Sequence, residues 1–487
     1  MCLGHSAHGL VPTHEIFQKP FPVEIVYETA PTPENYASYY SGRGLASQMK
    51  VWRVQTSDYR DNDAMEPGVV AGGNGFADSA DAEVIAGGLN QKGPNAVALG
   101  RHGSFFHWGF QASPKDMTEA GKRAFLNSVY YIRKFDRHDL LVRKVNQSRD
   151  YALDTAHRTQ NLAANHRSLT EAIEQSNAER LALVEKAKTQ KLTPDEEWLA
   201  GLSIQKAESF EDYSRSHFDR SYPRELVARL GTEGDRYLEY FEANLEYLRP
   251  AQRGFEVDED AKALGISNRS IELLEQCISR LERGEDVERA QRLLERYTDR
   301  SGGTAAEWRT WFDGARSDLF FSDVGGFRFF TSAPSGDEIR RRVRRAPIDP
   351  PTQGEPVSIH AEVVHQSTVD PGVVTLAVRV VTAPGWHIYA AVPRSQPYTQ
   401  TNLGLQLPPG AQALGDWDLP PATPSIEAQG LLKYEGDLVF LRRVKLGAEV
   451  DAESVIGVDI DYQVCDANQC LPPARATRAV PLGARTR

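Results

Sequence analysis

The chain has 487 residues, a net charge of -11 at pH 7, 40% hydrophobic and 25% charged residues. This is a globular composition too long for one ordinary core, and a soft length prior gives about three domains. An acidic chain implies no broad basic surface for nucleic acid, and no run of about 18 apolar residues offers a membrane span.

The N-terminal region, 1–135, reads as mixed α/β. "MCLGHSAHGL" lacks a basic start and an apolar stretch, so no secretory leader is expected. "FPVEIVYE" (Phe21 to Glu28) alternates like a strand. "AVALGRHGSFFHWGF" (Ala96 to Phe110) reads as a strand, a glycine turn and an aromatic strand. In the next segment Ser113 can cap a helix and Pro114 suits its first turn. Met117, Phe125, Val129 and Ile132 supply the apolar face.

Residues 136–331 read as helical. "KLTPDEEW" carries a capping box, with Thr193 at the N-cap, Pro194 next and Glu196 at the third position. Ile271, Leu274, Ile278 and Leu281 form one stripe. After Gly284, Val287, Ala290, Leu294 and Tyr297 form another, which predicts a helical hairpin with Cys277 buried beside it. "EWRTWFDGARSDLFFSDVGGFRFF" reads as an aromatic segment docked on these helices. Residues 332–356 are rich in proline, glycine and charge, and predict a linker, with Arg340 to Arg345 solvated. From 357 to 485 short strands alternate with period two between turns, which predicts an antiparallel β-sandwich. The fold class is therefore multidomain α+β: a partial α/β region, a mainly helical middle and a C-terminal immunoglobulin-like sandwich.

Two of the four cysteines lie in "YQVCDANQCLPP", Tyr462 to Pro473. Cys465 and Cys470 bound a six-residue loop, short enough to bring their Cα atoms within about 4.4–6.8 Å. A staple across so few residues removes little chain entropy. A metal site would need two more ligands, and His360, His365 and His387 stand isolated, so no metal and no cofactor is expected. Asp466 would raise a neighbouring thiol pKa rather than lower it. On these residues alone, a structural staple and an exchanging disulfide both stay open.

"YQVCDANQCLPPA" resembles the active-site loop of the N-terminal periplasmic domain of the thiol:disulfide interchange protein DsbD family. "PGWHIYA" (Pro384 to Ala390) and "YEGDLVFLRRV" (Tyr434 to Val444) resemble two further segments of that family. The resemblance covers about residues 355 to 484. It implies an immunoglobulin-like fold, Cys465 and Cys470 as the redox pair, and a site shaped by Tyr462, Gln463, His387 and Tyr389. It also implies a cap loop near Ile426 to Leu432, separate redox proteins as partners, and a periplasmic or extracellular setting. Tyr462, His387, Tyr389 and Trp386 also read as packed core side chains. The chain departs from full-length members in lacking a membrane segment and a C-x-x-C.

Asp81 to Thr118 is similar to the C-terminal part of ThuA-like domains, relatives of the glutamine-amidotransferase fold linked to sugar use. The order of elements implies a chain that starts mid-domain. Gly100, Arg101 and His102 read as a turn in which the arginine ties down carbonyls. Three functions follow: an extracytoplasmic thiol–disulfide exchange module, a binding or structural protein with a static Cys465–Cys470 bond, and a sugar-linked ThuA-like protein.

Overall fold

The computed structural model describes residues 2–58, 66–135, 140–367, 369–370, 372–425, 429–451 and 453–482. Two compact units emerge. One joins Met1–Gly302 to Phe321–Phe329, and the other joins Gly303–Phe320 to Phe330–Arg487. The protein is multidomain and of α+β class.

The first unit contains a six-stranded sheet, in the order Tyr27–Pro31, Gln48–Arg53, Ser6–His8, Ala82–Gly88, Val97–His102 and Phe105–Trp108. Every pairing is antiparallel. The strand expected at Phe21 starts only at Tyr27. Upstream, the Phe21 N–H donates to the Asn127 side chain and the Val23 N–H to the Phe17 carbonyl, so no ladder can form there. Ser113 precedes a single 3-10 turn. The helix itself runs Glu119–Ile132, with Thr118 as the N-cap accepting from the Gly121 N–H. Its buried side is Gly121, Ala124, Asn127, Ser128 and Tyr131, and Val129 faces out. Small side chains let this helix sit close on the sheet, which the large apolar residues of the predicted face did not signal.

The helical part of this unit follows the pattern of its sequence more closely. Thr193 and Glu196 form the capping box. Ile271–Arg283 and Val287–Tyr297 make the hairpin, and Gly284 closes the first helix in the left-handed region at φ 70°. Cys277 is buried there, and burial pushes its thiol up to about 12.

The second unit is an antiparallel sandwich. One sheet orders Val357–Gln366, Val373–Thr382, Asp437–Lys445 and Gln412–Asp418. Another orders Asn402–Gln406, Val455–Tyr462 and Ala474–Pro481, and a third orders Thr423–Pro424, Leu432–Glu435, His387–Ala391 and Val464–Cys465. The core is built from Val374, Leu376, Val378, Val380, Phe440, Ile456, Val458, Ile460 and Trp386. These are the inward positions of alternating strands, so the period-two pattern marks them.

Within the stretch read as a linker, Gly336–Arg345 is a helix, and Ser335 caps it by accepting from the Glu338 N–H. Ile339 and Val343, four residues apart, pack on Val364, Ala377, Val439 and Leu441. Burying each is worth about 1.5–3 kcal/mol. Arg379 rises from the sheet, pairs with Asp437 and donates to the carbonyls of Val343, Arg344 and Ala346 at the helix end. The Val373–Thr382 strand is therefore covered on both faces. Arg340 is buried and donates to the Val439 and Asp418 carbonyls. Arg340 is thus part of the fold, whereas Arg341, Arg342, Arg344 and Arg345 are exposed, as expected of a solvated run.

The aromatic segment is divided as well. Residues 303–320 belong to the sandwich unit and not to the helices, a correction with a clear cause. Asp318, 1% exposed, pairs with Arg443 at 2.6 Å and faces His365 at 3.7 Å. Arg443 also donates to the Gly314 carbonyl at the end of the Ala305–Ala315 helix.

Candidate functional site

Cys465 and Cys470 form a disulfide, with Cα atoms 4.1 Å apart. They face each other as an antiparallel pair. The Leu471 N–H donates to the Val464 carbonyl and the Asp466 N–H to the Gln469 carbonyl, at 3.0 and 2.9 Å. The bonds thus flank the cysteines without joining them. This is the narrow position of an antiparallel ladder, where Cα atoms approach most closely and side chains touch. It also explains a separation just under the expected range.

Asp466 shapes the turn between them. Its Oδ1 accepts from the N–H groups of Asn468 and Gln469, both at 2.8 Å. These bonds hold its carboxyl below the ordinary carboxylate range, and the neighbouring His387 adds to the effect.

The two cysteines differ in exposure. Cys465 is 1% exposed, whereas Cys470 lies open on the surface. Cys465 packs with Tyr389 and Leu431, and Val392 and Tyr398 close the cluster. Tyr389 stacks on Tyr398 with ring centroids 4.6 Å apart, and its hydroxyl lies 4.0 Å from Cys470 Sγ. His387 is buried and meets Tyr389 edge-on at 5.2 Å. In register, His387 opposes Cys465 and Ile388 opposes Val464.

Gln463 ties two segments together. Its Oε1 accepts from the Thr399 N–H at 2.9 Å, and its Nε2 donates to the Leu471 carbonyl at 3.2 Å. The amide thus fixes the Tyr398 loop to the strand leaving Cys470. Tyr462 sits at the margin of the main core, and Trp386 lies within it. Burial pushes the Tyr462 phenol up, against the charge of Arg478. The structure therefore gathers Cys465, Cys470, His387, Tyr389 and Gln463 at one place and leaves Tyr462 as a packing residue beside it.

Ile426, Glu427 and Ala428 of the expected cap loop lie outside the described residues. Its remainder supplies Leu431 to the cover over Cys465. Leu431 falls within the expected cap loop, whereas Tyr398 lies outside every segment read from the sequence, because it reaches the site through a loop crossing. Among the described residues no group of three or more His, Cys, Asp or Glu side chains could hold a metal ion. Nor is any described helix long and apolar enough to cross a membrane.

In the first unit, Gly100, Arg101 and His102 lie not in the expected turn but in the strand Val97–His102, where Arg101 pairs in register with Glu83 and Phe106. It donates to Glu83 and to the Gly103 carbonyl. Burial raises the Glu83 carboxyl, but bonds from His14, Tyr131 and Arg101 outweigh it and hold the group at about 2.

The sandwich matches one family model. It is that of the thiol:disulfide interchange protein DsbD, N-terminal, over residues 358–481. Among solved structures, the N-terminal periplasmic domain of ScsB from Proteus mirabilis is 18% identical, with a TM-score of 0.19. That match covers 26% of this chain and 47% of the ScsB chain, so less than half of that relative is spanned. The DsbD N-terminal domain of Neisseria meningitidis, in its reduced form, is 15% identical with a TM-score of 0.16, covering 22% of this chain and 75% of that one. The GAE domain of GGA2p from Saccharomyces cerevisiae is 11% identical with a TM-score of 0.16, covering 28% of this chain and 94% of that one. A comparison with curated proteins gives no match.

Proposed function

We propose that the second unit is a thiol–disulfide exchange module working outside the cytoplasm, through Cys465 and Cys470, with separate redox proteins as partners. The observation that carries this is the inequality of the pair: one exposed cysteine joined to one buried beneath Tyr389 and Leu431. A partner thiolate attacks Cys470 Sγ. The S–S bond breaks and its electron pair leaves on Cys465 Sγ, giving a mixed disulfide. A second partner thiol then attacks the partner's sulfur in that bond, releasing Cys470 and leaving the partner oxidised. The reverse sequence reduces a partner disulfide, with Cys465 as the resolving thiol. Tyr389, His387 and Gln463 hold the geometry of this site. The family match over residues 358–481 supports the reading, and such chemistry belongs in an oxidising compartment, the periplasm or the cell exterior.

The test is an equilibrium redox titration of the full chain, with alkylation to count open thiols. A midpoint between about -280 and -120 mV agrees with exchange. A pair that stays closed below about -300 mV is a static staple, the reading that the burial of Cys465 favours. A sugar-linked role for the first unit rests on the ThuA-like resemblance alone, since Arg101 and Glu83 are engaged with each other.

A further inference from the structure

Resting on the exchange reading above, we infer that His387 gives and takes the proton at the Cys465 sulfur. In the ladder His387 is the partner of Cys465 on one side and of Glu435 on the other. Cross-strand partners project to the same face, with Cβ atoms about 4.5–5.5 Å apart. A carboxylate, an imidazole and a sulfur therefore form one row across three strands. Tyr389 confirms which face this is. It lies two residues along the strand, touches the His387 ring, clusters with Cys465 and brings its hydroxyl to Cys470.

The chemistry needs a proton at this point. When a thiolate attacks Cys470, the departing Cys465 sulfur carries a negative charge in a buried place, and an uncompensated buried charge is costly. His387 is 5% exposed and stands beside that sulfur. As imidazolium it transfers its ring N–H proton to the leaving sulfur, giving a neutral thiol and a neutral imidazole. In the reverse direction the imidazole takes the Cys465 proton back as that sulfur attacks the mixed disulfide. The groups facing His387 are Glu435 and Cys465 on the flanking strands, Tyr389 on its own strand and Asp466 on the turn. Lys433 pairs with Glu435.

The experiment follows opening of the disulfide in the full chain by dithiothreitol from pH 5.5 to 8.5, quenched by alkylation. Each rate is divided by the concentration of dithiothreitol thiolate. The wild-type corrected rate is expected to fall as pH rises through the imidazole titration. His387→Phe, which keeps an aromatic ring against Tyr389, is expected to give a flat profile and about a hundredfold slower opening at pH 6, the modest end for proton transfer. His387→Gln, polar but not titrating, must also be flat, and it serves where the Phe variant does not fold. If both folded variants keep the wild-type profile, the inference is wrong and exchange still stands. A disulfide that dithiothreitol opens at no pH removes the exchange reading and this inference together.

Discussion

Opening the Cys465–Cys470 bond is expected to cost the second unit about 2 kcal/mol. The bond closes a loop of six residues, both cysteines included. Chain entropy assigns such a loop about 7 cal/mol/K, which is about 2 kcal/mol at 25 °C. A loop of about 100 residues would give about 4.7 kcal/mol. The main-chain bonds on either side of the pair, and the Asp466 turn, involve no sulfur atom and are expected to survive reduction. By linkage, the same energy sets the folded pair about 45 mV below the identical loop in an unfolded chain. Amide hydrogen exchange in the Val373–Thr382 and Asp437–Lys445 strands reports opening of this unit. Protection there is expected to drop about 30-fold between oxidised and reduced chain, and equally in the double Cys465→Ser, Cys470→Ser variant. A loss above about 5 kcal/mol would refute the reasoning and make the bond a principal support of the fold.

Three further outcomes are expected. Cys465→Ser should form a stable mixed disulfide with a small aromatic disulfide at least about tenfold faster than Cys470→Ser, because only Cys470 is open to attack; mass spectrometry of the adducts decides it. Leu431→Ala should cost about 2–5 kcal/mol in thermal unfolding and speed alkylation of the reduced Cys465, since it removes a fully buried side chain that covers that sulfur. Arg443→Met should cost about 3–5 kcal/mol near neutral pH by leaving Asp318 buried without its cation. Burial raises the Asp318 carboxyl, but His365, Ser367 and Arg443 outweigh it and hold the group below its ordinary value. Its contribution is therefore present above the usual carboxylate range and lost as pH falls through the lower folded value. The penalty of Arg443→Met should shrink in melts toward pH 3; an equal penalty at every pH would contradict the assignment.

Local patterns were readable where one chemical cause acts on neighbouring residues. Thr193 and Glu196 cap a helix by contacts three residues apart, and sandwich strands such as Val455–Tyr462 alternate because one face is more exposed. The cysteine loop was readable for the same reason. The Gly336–Arg345 helix was not, because only Ile339 and Val343 supply its apolar face. Arg340 is satisfied by carbonyls and Asp418 of the sandwich, and Arg379 closes the helix end from outside. The row of Glu435, His387 and Cys465 was also hidden. Register brings these residues together, and register is a property of the whole sheet.

The path of the chain through its two units has a practical meaning for dissection. It leaves the first unit after Gly302, returns at Phe321 and leaves again after Phe329. No single cut frees either whole unit from a piece of the other. A fragment beginning at the first sandwich strand would lack the Ala305–Ala315 helix and Asp318, leaving Arg443 without its acid. A protease that nicks one crossing leaves at least one fragment that carries segments of both units. For the same reason, an insertion or swap that treats the sandwich as a detachable cassette must carry residues 303–320 with it.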